Sequence, residues 1–234
     1  MAALQTSGTT GAPKRFGLNP EQTAVMIAAR AADLARIRPP GWAECVSYYN
    51  DFDVNGPGVQ RDIKWTSDKG ATLYRPLATF DLNVKQIVDN KVEAIFANPL
   101  FLLRYAPEFK AAGYQPKIIL ASGGPNLTPA MAKEIRATIG TGPQYFTSYS
   151  ASEAGTISLG TFDQAEAVAG CVGKPCEGNQ VQIVNGQIEV KTPIMIAGYA
   201  DPKLTVAKFV NGWFLTGDKG SLAADGTLIW EGRM

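Results

Sequence analysis

The first two-thirds of the chain alternate between two hydrophobic patterns. Short, continuous apolar runs predict buried strands at EAIFA (93–97), KIILAS (117–122) and QYFTSY (144–149). Around them, apolar residues recur at helical spacing, and these stretches follow a capping residue and a proline, at Asn19-Pro20, Asn98-Pro99 and Thr128-Pro129. Pro107 is expected to shorten or kink the second of these helices. The alternation predicts an α/β fold with a mixed, largely parallel sheet and packed helices.

The last third changes to strand pairs joined by tight turns. Asparagine or aspartate followed by glycine is typical of type I′ hairpins. It occurs at Asn185-Gly186, Asn211-Gly212 and Asp225-Gly226. No helix is predicted after about residue 170. The pattern predicts an α/β subdomain over residues 1–168 and a small antiparallel, hairpin-rich β-subdomain over residues 169–234.

Composition narrows the classes of partner. The 234 residues carry a formal net charge of +1, so no basic surface for nucleic acid is predicted. No apolar run is long enough to span a bilayer, and the first residues lack the basic and apolar regions of a secretory signal. Three cysteines, an odd and low number, fit a reduced protein. A cytoplasmic location without membrane or nucleic-acid partners is therefore expected.

The sequence contains no histidine, and this excludes several kinds of active site. A Ser-His-Asp triad, a cysteine–histidine pair and the zinc motif HExxH all need at least one. Cys171 and Cys176 are near each other in CVGKPC, but no further soft metal ligands adjoin them. Buried or idle thiols are therefore predicted.

Residues 5–14, QTSGTTGAPK, predict a loop that holds an anion. Gly8 and Gly11 let the backbone turn and approach a ligand, and successive N–H groups in such a loop bind anions. Hydroxyl donors and a mobile positive charge are added by Thr6, Ser7, Thr9, Thr10 and Lys14. This inventory suits a polyphosphate, although Pro13 stands where the Walker pattern has glycine. The alternative is an ordinary polar turn.

The ordered string SGTTGxPK resembles the phosphate-binding loop of the adenylate-forming superfamily. This superfamily includes the acyl-CoA synthetases, the adenylation domains of peptide synthetases and the luciferases. Other stretches resemble further family motifs in family order: ASGGP (121–125), YSASE (149–153), VGKP (172–175), GYADPKLT (198–205), TGD (216–218) and GR (232–233). The resemblance covers almost the whole chain.

The resemblance implies a reaction in which ATP and a carboxylic acid give an acyl-adenylate and pyrophosphate. The acyl group then usually passes to a thiol, which belongs to CoA or to a carrier protein. By the resemblance, Lys14 and the loop hydroxyls hold the phosphates, Ser152 bonds a phosphate through its hydroxyl, and Glu153 holds Mg²⁺. Lys14, Ser152 and Glu153 are thus the implied catalytic residues.

The resemblance also implies the contacts of the nucleoside. Three residues would line the adenine edge: Gly123, Gly124 and Pro125. Tyr149 would lie against the adenine, Asp218 would accept hydrogen bonds from both ribose hydroxyls, and Arg233 would bond the ribose as well. Each of these residues also has an ordinary structural explanation when it is considered alone. Tyr149 could be a core residue, and Asp218 could be a turn residue. Glu153 could be a solvated carboxylate, and Lys14 could be a surface lysine. Their occurrence together, in family order, favours the site.

The sequence departs from the family pattern at several points. Ser150 stands where the family usually has glycine, and the expected aromatic-rich acyl pocket segment, VSYYNDFDVNG (46–56), matches poorly. Family members also carry a long stretch before the phosphate loop and, after the Gly-Arg motif, a mobile lid with a catalytic lysine. The 234 residues are expected to correspond to the core between these parts.

Two function classes are predicted. The first is an adenylating ligase that binds ATP and Mg²⁺ and activates a carboxylic acid, weakly or not at all as this core alone. The alternative is a non-catalytic nucleotide-binding module that acts as a partner or regulator. Self-association or a partner chain is also expected, because exposed sheet edges and apolar surface tend to recruit another chain.

Overall fold

The computed structural model describes residues 4–6, 14–123 and 126–234. The helices are α1 (Pro20–Ala32), α2 (Leu34–Ile37), α3 (Pro57–Lys69), α4 (Phe80–Asp89), α5 (Pro99–Ala111), α6 (Pro129–Ile139), α7 (Phe162–Ala167) and α8 (Pro202–Lys208). The strands are β1 (Ser47–Asn50), β2 (Thr72–Tyr74), β3 (Ala94–Ala97), β4 (Ile118–Ser122), β5 (Gln144–Ala151), β6 (Gly155–Thr161), β7 (Lys174–Pro175), β8 (Gln180–Val184), β9 (Gln187–Lys191), β10 (Phe209–Val210), β11 (Trp213–Leu222) and β12 (Leu228–Arg233). Within the described residues, no helix has the length and apolar character that a membrane crossing requires.

The described strands form two sheets. The first has seven strands in the order β2-β1-β3-β4-β5-β6-β7, and its strands from β2 to β5 pair in parallel. β6 and β7 extend it antiparallel. The predicted mixed, largely parallel α/β fold is therefore confirmed. The last strand of this sheet ends at Pro175. The boundary at residue 168 between the two predicted subdomains stays a prediction.

Both faces of the parallel sheet are covered, which explains the continuous apolar runs. Ile95 and Ile119 pack into a cluster on one face, with the aromatic residues of α5. Their neighbours Phe96 and Ile118 pack into a second cluster, which belongs to the opposite face because successive side chains of a strand alternate. Parallel sheets covered on both sides require such uninterrupted hydrophobic strands.

Pro107 does not shorten its helix, so that part of the expectation was wrong. α5 continues through Pro107 to Ala111. Proline has no N–H, so the helix forgoes one backbone hydrogen bond there. The side chains on either side, Tyr105, Ala106 and Phe109, are all buried in the core, and this packing holds the last turn in place.

The remaining strands form the antiparallel subdomain, in the order β10-β11-β9-β8 with β12 paired to β11. Asn185 and Asn211 have positive φ angles of 51° and 50°, and glycines with φ of 80° follow both, as type I′ turns require. These two hairpins are confirmed. The third is not of that type, because only Gly226 has a positive φ and the loop is longer.

The expectation of no helix in the last third was also wrong. α8 begins at Pro202, and the Asp201 side chain caps it by accepting a hydrogen bond from the Lys203 N–H. The helix has no buried residue, so hydrophobic periodicity could not indicate it. The usable signal was the pair Asp201-Pro202, a capping residue followed by a proline at the first helical position.

Candidate functional site

A cavity of about 720 Å³ lies between the parallel sheet and the antiparallel subdomain. Its lining includes residues at the carboxyl ends of the parallel strands, such as Asn98, Gly123 and Ser150. Asp218 on β11 and Lys208 at the end of α8 line it as well. Ligands of open parallel sheets bind at the carboxyl ends of the strands, so this cavity is the candidate site.

The two ends of the predicted phosphate loop are joined at this cavity. The Lys14 N–H donates to Thr6 Oγ1 at 3.1 Å, and the Thr6 N–H donates to the Lys14 carbonyl at 3.0 Å. Both residues line the cavity. The intervening residues of the prediction lie outside the described residues: Ser7, Gly8, Thr9, Thr10 and Gly11.

Glu153 lies buried in the turn between β5 and β6, beside Ser152, and both line the cavity. The Tyr199 hydroxyl donates to Glu153 Oε1 at 2.5 Å. Burial, and then the bond to Glu153, raise the pKa of Tyr199, so the hydroxyl stays a proton donor. One carboxylate oxygen is thus held by the tyrosine.

The surroundings of Glu153 fit a particular kind of metal ion. Among the described residues, no three histidine, cysteine, aspartate or glutamate side chains group together as a metal cluster. Mg²⁺ is commonly bound by one or two carboxylates, with the other ligands supplied by water and substrate phosphates. A single buried carboxylate near a predicted polyphosphate site fits that donor set.

Arg30 on α1 supports this turn, and its only sequence signal is an arginine within a predicted helix. Its buried guanidinium on α1 donates to the carbonyls of Ser152 at 3.0 Å, Glu153 at 3.1 Å and Ile194 at 3.0 Å. Burial lowers the pKa of Arg30 to about 9, and the nearby charge of Arg61 adds to this effect. The arginine therefore fixes the backbone that carries Ser152 and Glu153.

Asp218 meets two of the other predicted residues. The Tyr149 hydroxyl donates to Asp218 Oδ2 at 2.5 Å, and burial raises the pKa of Tyr149 well above its usual value. Arg233 Nη1 lies 3.0 Å from Asp218 Oδ1, but the angle does not suit a hydrogen bond, so this buried oxygen has no donor among the described residues. Oδ1 therefore remains available to a donor from a ligand.

Gly123, at the end of β4, comes very close to another part of the cavity wall. Its φ is +67°, and a Cβ added there would lie 2.8 Å from Phe52 Cε1. Only glycine fits this position without a shift of the ring. The other two predicted adenine-edge residues, Gly124 and Pro125, lie outside the described residues.

Lys208 is a cavity residue that the sequence analysis missed. It is half-buried at the end of α8, the helix that was also missed. Burial, and then the positive charge of Lys14, lower the pKa of Lys208. Among the described residues, neither lysine forms an ion pair with a carboxylate. Two nearby positive charges of this kind favour a multiply charged anion between them.

Comparisons with known proteins agree with this architecture. No family model matches the chain. The protein named "Putative acyl--CoA ligase YdaB" of Bacillus subtilis is 27% identical over 247 residues, which cover 97% of this chain and 47% of that protein. ATP-bound MatB from Rhodopseudomonas palustris superposes with a TM-score of 0.78 at 22% identity, over 99% of this chain and 47% of that chain. MenE, the O-succinylbenzoate coenzyme A synthetase of Bacillus subtilis, solved with ATP and magnesium ion, gives 0.76 at 22% identity, over 99% and 49%.

Three findings point to the same class of protein, the acyl-activating ligases. They are the sheet order, the order of the motifs and a ligase relative that matches nearly the whole chain. The chain is similar along nearly its whole length to acyl–CoA ligases, which are members of the adenylate-forming superfamily, and it shares the fold of their solved structures. It spans about half the length of the curated relatives that it matches end to end.

Proposed function

We propose that the chain binds ATP with Mg²⁺ and forms the nucleotide site of an acyl-activating ligase. The reaction joins a carboxylic acid to the α-phosphate of ATP and releases pyrophosphate. The observation that supports this is the meeting, in one cavity, of Lys14, Lys208, Glu153 and Asp218, which four separate parts of the chain supply. These groups are complementary to a polyphosphate, a divalent ion and a ribose.

The phosphates are assigned to the end of the cavity that holds the two lysines and Ser152. Lys14 and Lys208 neutralise the triphosphate, and the Ser152 hydroxyl donates to a phosphate oxygen. Glu153 offers its second carboxylate oxygen to Mg²⁺, which would neutralise charge on the departing pyrophosphate. Arg30 and Tyr199 hold Glu153 in position for this.

The nucleoside is assigned to the neighbouring part of the same cavity. Asp218 Oδ1 accepts a hydrogen bond from a ribose hydroxyl, and Arg233 lies beside it as a second ribose contact. Because the Tyr149 hydroxyl is held by Asp218, the ring has a fixed orientation for packing against the adenine. The acceptor of the acyl group is proposed to be the thiol of CoA or of a carrier protein, since the named relatives are CoA ligases.

The nucleotide site is tested by the thermal shift that ATP produces with Mg²⁺. At about 100 times its Kd, ATP should raise the melting temperature by about 5–10 °C. Lys14→Ala and Asp218→Asn should each reduce that shift. Lys219→Ala is the matched control, because this exposed lysine adjoins Asp218 but pairs only with Glu231, at 3.8 Å. No shift, together with no binding by calorimetry, would mean that the nucleotide site is wrongly assigned.

Catalysis is tested separately, by ATP–pyrophosphate exchange with a panel of carboxylic acids. Assayed as these 234 residues, the chain should give exchange close to background. The family's catalytic lysine belongs to a lid outside the matched motifs, and one such electrostatic contact is worth on the order of 10²–10³ in rate. Fast exchange would contradict this expectation. A small rate that depends on the acid favours the ligase, whereas ATP binding with no acid-dependent rate favours the non-catalytic module.

A further inference from the structure

The cavity also reaches a buried arginine for which the proposed function has no use. We propose that the acid bound by this chain carries a second anionic group, in the simplest case as a dicarboxylic acid, and that Arg61 on α3 binds that group. The inference rests on the proposed function, because it assigns the acyl part of the same cavity.

Arg61 belongs to a cluster in which two arginines share one aspartate. Asp62 Oδ2 accepts from Arg38 Nη2 at 2.9 Å and from Asn50 Nδ2 at 2.7 Å. Asp62 Oδ1 accepts from Arg61 Nε at 2.8 Å, with Arg61 Nη2 at 2.7 Å. Burial opposes the charged carboxylate, but Arg61 and Arg38 outweigh it and lower the pKa of Asp62. The aspartate is therefore charged, and both its oxygens are engaged.

The charges of this cluster do not balance. Arg38, Arg61 and Asp62 are only 4%, 3% and 6% exposed, and together they carry two positive charges and one negative charge. Among the described residues, no other carboxylate forms an ion pair with either arginine. An uncompensated buried charge is strongly unfavourable unless an anion completes it.

The excess charge faces the cavity through Arg61 and not through Arg38. The Arg38 guanidinium lies over the rings of Phe96 at 4.1 Å and Trp42 at 5.0 Å, and it is absent from the cavity lining. Arg61 lines the cavity directly, and no described residue accepts a hydrogen bond from its Nη1. Of these two arginines, a ligand in the cavity can therefore reach Arg61 and not Arg38.

The position of Arg61 suits the far end of the acid and not the carboxylate that reacts. The reacting carboxylate must adjoin the α-phosphate, at the end of the cavity with Lys14 and Ser152. Asp62, which Arg61 binds, also accepts from Asn50 at the end of β1, and β1 lies three strand positions from β5, or about 14 Å across the sheet. The wall near Arg61 includes apolar side chains suited to a methylene chain: Phe52, Val59, Phe96 and Leu127.

The test uses stable acyl-adenylate analogues, because their binding requires no catalysis. A series of 5′-O-(N-acylsulfamoyl)adenosines is prepared in matched pairs, in which the acyl chain ends in either a methyl group or a carboxylate. Calorimetry should show that the carboxylate-ended analogue of at least one length binds about tenfold or more tightly than its methyl-ended partner. Arg61→Met should abolish this preference, and Arg61→Lys should retain part of it.

Arg38→Met is the matched control, because it removes the same charge from the same cluster away from the cavity. It leaves Arg61 paired with Asp62 but keeps Arg61 Nη1 at the cavity, so it should weaken the preference by less than Arg61→Met does. Arg61→Met leaves the Arg38–Asp62 pair balanced, so its melting temperature should not fall. Equal binding of the two analogue types by the wild-type chain would overturn the inference, as would equal weakening of both types by Arg61→Met. If the wild-type chain binds neither AMP nor any analogue, the proposed function fails and the inference fails with it.

Discussion

The buried carboxylates at the two ends of the cavity differ in their hydrogen-bond partners. At the proposed nucleotide end, Glu153 and Asp218 each accept a hydrogen bond from a tyrosine hydroxyl, at 2.5 Å, through one oxygen only. At the proposed acyl end, Asp62 has both oxygens engaged by Arg38, Arg61 and Asn50. The neutral tyrosines fix these carboxylates without neutralising them, although Asp218 also has one partly exposed arginine, Arg233, at 3.0 Å. The two buried arginines at Asp62 neutralise it and leave one positive charge over.

This difference indicates what each end lacks. The nucleotide end keeps open carboxylate oxygens, which suit a metal ion and hydroxyl donors, beside two lysines that suit phosphates. The acyl end offers no open carboxylate oxygen and one excess positive charge, so it suits only an anion. The same residue type, a buried acid, is therefore free to bind a ligand at one end and is a counter-ion at the other.

The largest expected effect comes from removing the counter-ion. Asp62→Asn leaves Arg38 and Arg61 buried together without an anion, and breaking a buried pair in this way typically costs about 3–5 kcal/mol. Urea denaturation should show a loss of this size in the free energy of unfolding. Arg61→Met is the control and should change that free energy by less than about 1 kcal/mol, because one balanced pair remains. If Asp62→Asn lowered the free energy of unfolding by less than Arg61→Met does, Asp62 would not be the counter-ion of the two arginines.

The sequence predicts the parts of the fold in which local pattern and tertiary role agree. β3 and β4 are continuous apolar runs because both faces of the sheet are covered. The turns at Asn185 and Asn211 need positive φ angles that asparagine and glycine tolerate. In α8 the local pattern does not reflect the tertiary role, because none of its residues is buried. Its only sequence signal is the capping residue at its start.

The candidate site divides in a similar way. Glu153 and Asp218 were predicted because they belong to ordered motifs, and both line the cavity. Lys208, Arg61 and Arg30 were not predicted, because a charged residue on a helix usually faces solvent. Only the packing of α1, α3 and α8 around the cavity buries Arg30 and Arg61 and half-buries Lys208, and no local pattern encodes that packing. The domain boundary, the roles of the site residues and the expected self-association stay predictions.

An intermediate effect is expected at the nucleotide end from Lys208→Gln. Without the second lysine, the triphosphate loses one cation, so the affinity for ATP should fall about tenfold. The affinity for AMP should fall less, because AMP lacks the outer phosphates. Lys203→Gln, an exposed position on the same helix, is the matched control and should leave both affinities unchanged. Equal losses for ATP and AMP would place Lys208 away from the outer phosphates.

The smallest expected effect compares Asp62 with Asp51, a neighbouring acid that has no arginine. Burial raises the pKa of Asp51 to about 6, although the Asn98 side chain donates to it at 2.5 Å. Between about pH 4 and 6, the folded state therefore binds more protons at Asp51 than the unfolded state does, so this contribution lowers stability as pH rises. Asp62 has the opposite sign, because its lowered pKa gives a contribution that is lost as pH falls below about 4.

Replacing Asp51 by its neutral isostere isolates this contribution. Asp51→Asn should stabilise the chain by about 1 kcal/mol at pH 7, after allowance for solvent screening, because the charged form is the one that burial disfavours. The difference from wild type should shrink to nothing below about pH 4, where the aspartate is protonated in both states. Asp81→Asn, the same change at an exposed position, should show no such pH dependence. Urea denaturation across this pH range measures both, and a destabilised Asp51→Asn at pH 7 would show that the Asp51 carboxylate has a favourable partner, as Asp62 does.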